Sequence, residues 1–281
     1  ETNPLKLVIR SWVRRVPISL LCFTPSLVNG FLFLLPLSVN KVSLFQWRPI
    51  GRLSRFKSIF VYLTLKRSHT IVVYSHLSKR YLRRLFPGKQ ICQIGLYTDT
   101  DFFVQTTEAQ PENFILVPGD HKRDESLLAG ISERLGMRIV RVTRNSSVRK
   151  EIERRRDTGV ELRYNVSFDE LRKLYQLCNC VLILSDSSEI PTGITSLAEA
   201  LACGADVVIS KGHSNSWPPE MQQTLPFTII PASADPSEVA QAIRNRWDGS
   251  TPRPARSANA RAFAIEQLSG PVVAKQWAEI L

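Results

Sequence analysis

Acidic residues are almost missing from the first third of this chain: no aspartate or glutamate occurs between residues 2 and 98. Residues 1–100 hold sixteen Lys or Arg against Glu1 and Asp99 alone, a net of +14. The remainder carries twenty-one basic and twenty-three acidic residues, a net of −2. This excludes a first half that neutralises itself. It points to an anionic partner for that half: nucleic acid, an acidic membrane surface or a phosphorylated substrate. Cysteine is scarce too. The five cysteines include Cys178 and Cys180 one residue apart, which is neither zinc spacing nor an even disulfide framework. That reads as structural thiols in a reducing compartment. Four scattered histidines exclude a histidine-rich metal site, and no metal is expected. Internal repeats and low-complexity tracts are absent.

A continuous apolar helix is also missing. The stretch from Val16 to Asn40 is uncharged, but Pro17, Pro25, Asn29, Gly30 and Pro36 interrupt it, and a span needs about 20 apolar residues. It is read instead as a strand Ile18–Phe23, a buried helix Ser26–Leu37 and a strand Lys41–Trp47. No small-residue cleavage site follows the hydrophobic block, so no signal peptide is expected.

What is present is a chain of 281 residues with 43% hydrophobic side chains, enough for two domains with real cores. From residue 113 onward apolar strands alternate with amphipathic helices. Strands are expected at Phe114–Val117, Arg138–Val142, Glu161–Asn165, Val181–Leu184, Val207–Ser210 and Phe227–Ile230. Helices are expected over 122–135, 147–156, 168–178, 193–203 and 235–247, with Ser167-Phe-Asp-Glu170 as a capping box. This alternation implies βαβ crossovers and a doubly wound parallel sheet. The first hundred residues add about four strands, including His69–Tyr74 and Gln90–Ile94. Residues 248–257 read as a linker, and 258–281 as a last helix broken near Gly270-Pro271.

In such a sheet, ligands bind beyond the carboxyl ends of the strands. Four polar loops lie there: Pro118–Arg123, Thr143–Ser147, Asn165–Ser167 and Ser185–Glu189 running on to Gly193. Thr192 is expected to cap the following helix. The amides of Gly193, Ile194 and Thr195 would form an anion site reinforced by the helix dipole. Glu199, four residues after Thr195, shares its face and is placed to accept hydrogen bonds from a ribose diol. Lys122 and Arg123 supply positive charge for a diphosphate. Gly119, Asp120, His121 and Asn145 complete the binding set. Each loop alone reads equally well as a loop and no more; their joint position at the ends of one sheet makes the set. His76 reads as structural, and His121 stands between the two readings.

Three passages, "ILVPGDHKRDESLL", "VSFDELRKLYQLCNCVLILSDSSE" and "GITSLAEALACGADVVIS", resemble in that order the C-terminal domain of retaining GT-B glycosyltransferases of glycosyltransferase group 1. "HTIVVYSHLSKRYLRRLFPGKQICQIGLYTDTDFF" resembles that family's passage between its two domains. The resemblance implies a GT-B-like α/β fold of two Rossmann-like doubly wound domains. The N-terminal one (1–106, acceptor side) is incomplete, without the family's glycine-rich loop. A nucleotide-sugar-binding domain (107–247), a linker (248–257) and a C-terminal helix crossing back (258–281) follow.

The resemblance also implies a nucleotide-diphosphate sugar as donor substrate, with no cofactor. Arg123 and Lys122 would face the diphosphate, Glu199 would bind ribose, and Glu189 would contact the donor sugar. Glu189 and Glu199 have nine residues between them where the family has seven, and Asp120 stands where the family has arginine. The implied activity is retaining transfer to a lipid-linked or polysaccharide acceptor by a cytoplasmic protein held at the inner face of the plasma membrane, with an anionic membrane surface and no nucleic acid among its partners. A sugar-nucleotide epimerase of the same fold, a truncated non-catalytic nucleotide binder and a nucleic-acid-binding protein are the alternatives.

Overall fold

A computed structural model describes residues 19–22, 40–45, 55–106, 112–120, 125–156, 159–184, 193–248 and 252–280. The chain divides into two compact units, Glu1–Ile94 with Lys275–Leu281, and Gly95–Ala274.

The first unit holds β1 (Ser19–Cys22), β2 (Asn40–Phe45), α1 (Arg55–Arg67), β3 (Thr70–Val73), α2 (His76–Leu85) and β4 (Gln90–Gln93). Its sheet is parallel, in order β1-β2-β3-β4. Successive residues of β3 point to opposite faces. Ile71 and Val73 pack with Val61 and Leu65 of α1 and Leu82 of α2. Val72 joins Val42, Leu44 and Ile94 on the other face, against Trp277 and Ile280 near the end of the chain. The expected helix Ser26–Leu37 lies outside the described residues. Among those residues no helix is long and apolar enough to cross a membrane.

The second unit is built on β5 (Phe114–Val117), β6 (Arg138–Thr143), β7 (Val160–Tyr164), β8 (Cys180–Ile183), β9 (Val207–Ser210) and β10 (Thr228–Ile230). Between and after them run α3 (Ser126–Leu135), α4 (Ser146–Arg155), α5 (Phe168–Leu177), α6 (Ile194–Ala202), α7 (Pro236–Trp247), α8 (Arg253–Leu268) and α9 (Gly270–Ala278), whose residues from Lys275 on belong to the first unit. The six strands pair in parallel in the order β10-β9-β8-β5-β6-β7. Both faces are covered, as a parallel sheet requires. Leu116, Val140, Val181 and Ile183 pack with Leu174 of α5, Leu197 of α6 and Ala260 of α8. Ile115, Val117, Ile139 and Leu182 pack with Leu128 and Ile131 of α3 and Val239 and Ile243 of α7. Successive residues of each strand therefore enter two different cores.

Several local expectations change. The stretch read as a linker is partly helical, because Pro252 precedes a helix that begins at Arg253; a proline just outside or inside a helix start costs no hydrogen bond. The break in the last helix falls at Ser269, one residue before the glycine. At α5, Ser167 accepts the Glu170 amide at 3.2 Å, but the Glu170 carboxylate accepts from Arg163 at 3.1 Å. A complete capping box forms instead at Asp235 and Glu238 of α7.

Candidate functional site

The strand order sets the position of the site. The chain lays β5, β6 and β7 outward in one direction, then returns to place β8, β9 and β10 on the other side of β5. The reversal between β5 and β8 is the switch point at which loops diverge and leave a crevice beyond the strand ends. The loop after β5 and the N-terminus of α6, which follows β8, flank it.

The β5 loop is held from below by a residue the sequence reading passed over. Arg141 of β6 is fully buried. Its guanidinium pairs with Glu125 at 3.0 Å and donates to the carbonyls of Val117 at 3.2 Å and Gly119 at 2.7 Å. Gly119 adopts φ +110, which favours glycine. Asp120 accepts from the Arg144 amide and from Thr143 Oγ1 at 3.3 Å. Asn145 donates from Nδ2 to the Asp120 carbonyl at 2.9 Å and caps α4 through the Ser147 amide. Asp120 and Asn145 thus lace the loops after β5 and β6 together. His121, Lys122 and Arg123 lie outside the described residues.

Across the switch point, α6 begins one residue later than expected. Gly193, with φ +83, takes the cap position assigned to Thr192, which lies outside the described residues as do Glu189 and Pro191. A residue at this φ is best a glycine, and a glycine cap leaves the amides of Ile194 and Thr195 uncovered by any capping side chain. The helix start carries a partial positive charge that the cap residue itself does not cover.

Glu199 differs more. It does not share an outer face with the exposed Thr195; residues 196–202 are all buried, and Glu199 is 8% exposed. Tyr175 of α5 donates its hydroxyl hydrogen to Glu199 Oε2 at 2.9 Å. Burial pushes the Glu199 carboxyl up to about 7, and the Tyr175 hydroxyl and the Arg144 charge draw it partly back. Burial, then the Glu199 charge, pushes the Tyr175 phenol well above its ordinary value. The guanidinium of Arg144 stands 4.9 Å from the centre of the Phe168 ring, whose residue is 53% exposed. Arg144 and Tyr175 are therefore site residues that sequence reasoning missed. Arg144 lay within a loop already singled out, and a charged side chain directly after a strand was the available signal.

The described residues contain no group of three metal-ligating side chains. Asp99-Thr100-Asp101, an Asp-x-Asp, closes a turn: Asp99 Oδ1 accepts the amides of Asp101 and Phe102 at 3.1 and 2.9 Å. The described residues thus bring together a glycine-capped helix start, the Arg144 guanidinium and a buried carboxyl raised to about 7. Such groups are chemically suited to a phosphate and a hydroxyl donor.

Solved structures with the same architecture decide the fold type. A glycosyltransferase from Rickettsia africae superposes with a TM-score of 0.73 over 100% of this chain and 82% of its own, at 14% identity. HepE of Anabaena, solved with UDP and glucose, gives 0.68 over 90% of this chain and 73% of its own, at 15% identity. Sucrose-phosphate synthase of Thermosynechococcus elongatus gives 0.67 over 90% and 70%, at 16% identity. The fold is that of the GT-B glycosyltransferases. No protein-family model and no curated protein sequence matches the chain. This GT-B chain places Glu199 and Gly193 on the same helix beside the switch point of its second unit.

Proposed function

We propose that this protein transfers a sugar from a UDP-linked donor to a lipid-linked or polysaccharide acceptor, with retention at the anomeric carbon, in the manner of group 1 glycosyltransferases. The observation that carries the reading is the pairing of a glycine-capped helix start at Gly193 with the buried carboxyl of Glu199 nearly two turns further along, beside the β5–β8 switch point. HepE, which shares the fold, binds UDP-glucose.

In this reading the amides of Gly193, Ile194 and Thr195 hold the diphosphate, with Lys122 and Arg123 neutralising it. Glu199 accepts both ribose hydroxyls once it loses its proton. Arg144, whose charge reaches Glu199, meets a base or phosphate of the donor, and Glu189 contacts the donor sugar. The bond from the anomeric carbon to the diphosphate oxygen breaks, and the charge that develops on that oxygen is met by donors already in place. The acceptor hydroxyl oxygen bonds to the same face of the sugar, and its proton passes to the departing phosphate. No resident cofactor enters this scheme, and the nucleotide sugar is the substrate. The protein works in the cytoplasm at the inner face of the plasma membrane.

A thermal-shift titration with UDP, GDP, ADP and their sugar conjugates, on wild type and Glu199→Ala, tests the proposal. UDP and its conjugates should stabilise the wild type selectively and leave the variant unmoved. Absence of any nucleotide response would overturn it.

A further inference from the structure

The first unit carries positive charges that far outnumber its two carboxylate side chains, Glu1 and Glu279. Helix α2 holds Lys79, Arg80, Arg83 and Arg84 within ten residues, and no carboxylate side chain occurs between residues 2 and 98. Spacings of three and four residues stack these side chains on neighbouring turns, where like charges oppose helix formation. With His76 they line an open recess of about 430 Å³. Arg83 and Arg84 fall in the last turn, where they suit the helix dipole; Lys79 and Arg80 are not explained that way.

Beside this basic helix, α1 turns apolar side chains outward. Ile59 is 61% exposed, and Tyr62 and Leu63, three and four residues on, are exposed with it. The opposite side of α1, Val61 and Leu65, already fills the core. Lys66 and Arg67 end the helix one turn further. The two helices are neighbours: the Tyr62 ring lies 5.2 Å from the ring of Phe86, directly after α2, and Leu85 is exposed beside it. A row of cations thus borders a strip of exposed Ile, Tyr and Leu.

We propose that the α1–α2 face is a docking surface for an anionic lipid bilayer. Lys66, Arg67, Arg80, Arg83 and Arg84 take the lipid phosphates, and Ile59, Tyr62 and Leu63 enter the boundary between headgroups and acyl chains. The charge complementarity is to a polyanionic surface, and the apolar strip selects among such surfaces. Burying aliphatic side chains gains free energy at a hydrocarbon boundary, whereas a nucleic-acid backbone offers Ile59 and Leu63 nothing to displace water. A second copy of the chain would set cations against cations. This inference locates on named residues the membrane attachment that the proposed function places at the plasma membrane, and it rests on that reading only for the acceptor.

The test is co-sedimentation of the full chain with vesicles of phosphatidylcholine alone or mixed with phosphatidylglycerol. Three proteins are compared: wild type, Arg80→Gln/Arg83→Gln/Arg84→Gln, and Ile59→Ser/Leu63→Ser. All five changes are at exposed positions, and unchanged melting temperatures confirm folding. Each cation near an anionic surface contributes roughly a factor of five, so removing three should weaken binding to the mixed vesicles by about a hundredfold. Raised salt should weaken the wild type in the same direction. The Ser pair should lose roughly tenfold or more and leave the salt dependence in place. Equal binding to neutral and anionic vesicles overturns the proposal. So does full retention by the Gln triple, or preferential capture by random-sequence duplex DNA. The UDP thermal shift is measured on the same samples: a wild type that responds to UDP but does not bind the mixed vesicles overturns the docking surface alone, and a wild type that binds them without a UDP response overturns the donor site alone.

Discussion

Tyr175 and Glu199 share one hydrogen bond of 2.9 Å between helices α5 and α6, and both side chains are buried. The carboxyl is pushed up to about 7 from its ordinary 4.5. The folded chain therefore holds this proton more firmly than the unfolded chain does. Between those pH values the native state binds more protons, so stability falls as pH rises from 4.5 through 7 and levels off above. The gap corresponds to about 3 kcal/mol, the most the slope can reach. Denaturant titration across pH 4.5–8 should show the decline in the wild type and a flat profile in Glu199→Gln.

The same proton should govern ligand affinity in the opposite sense. A carboxylate accepts two hydroxyl donors where a neutral carboxyl must spend one oxygen donating. UDP binding by calorimetry should therefore tighten as pH rises through 7. In Glu199→Gln it should be weaker and independent of pH, so the residue that costs stability is the one that serves the ligand.

Tyr175→Phe removes the donor and leaves the Glu199 oxygen buried without it. A loss of about 1–3 kcal/mol is expected, together with a further upward move of the pH at which UDP binding tightens. Chemical denaturation and the pH series measure the two effects separately.

The buried pair of Arg141 and Glu125 allows a cycle. Arg141→Met should destabilise by about 3–5 kcal/mol, because it leaves a carboxylate in the core without its guanidinium. Adding Glu125→Leu should restore most of that stability, since well-packed apolar residues replace buried pairs with little loss. The nucleotide response should stay reduced, because the Arg141 donors to the Val117 and Gly119 carbonyls are gone.

Gly193→Ala asks an alanine to adopt φ +83, which costs about 1 kcal/mol or more. The larger effect is expected on the ligand: shifting the cap moves the amides of Ile194 and Thr195, and the UDP thermal shift should fall by more than half.

The repeating units of the second sheet were legible because each strand is a short apolar run and each helix has its own period; the six strands lie within one or two residues of their expected bounds. Strand order was not legible, since parallel pairing leaves no local mark, and with it went the knowledge that the strands before Gly119 and Gly193, β5 and β8, are neighbours in the sheet. Helical spacing places Glu199 with Thr195, but that it is buried could not be read there, because the α5 packing that covers it comes from residues more than twenty positions earlier. Arg141 was hidden for a related reason. A charged residue in a strand reads as an edge or a solvent position until its partner, Glu125, is seen to come from outside the sheet. The charge imbalance of the first hundred residues was plain from the start; only the folded helices show that an exposed apolar strip lies beside it.

One consequence of the Arg141 anchorage concerns the heat of binding. The guanidinium fixes the main chain at Val117 and Gly119 as the domain folds, so that segment has little disorder left to lose when a ligand arrives. Its association should then carry a small entropic penalty and a favourable enthalpy. Arg141→Met/Glu125→Leu should move that balance toward a larger entropic loss even where some affinity survives.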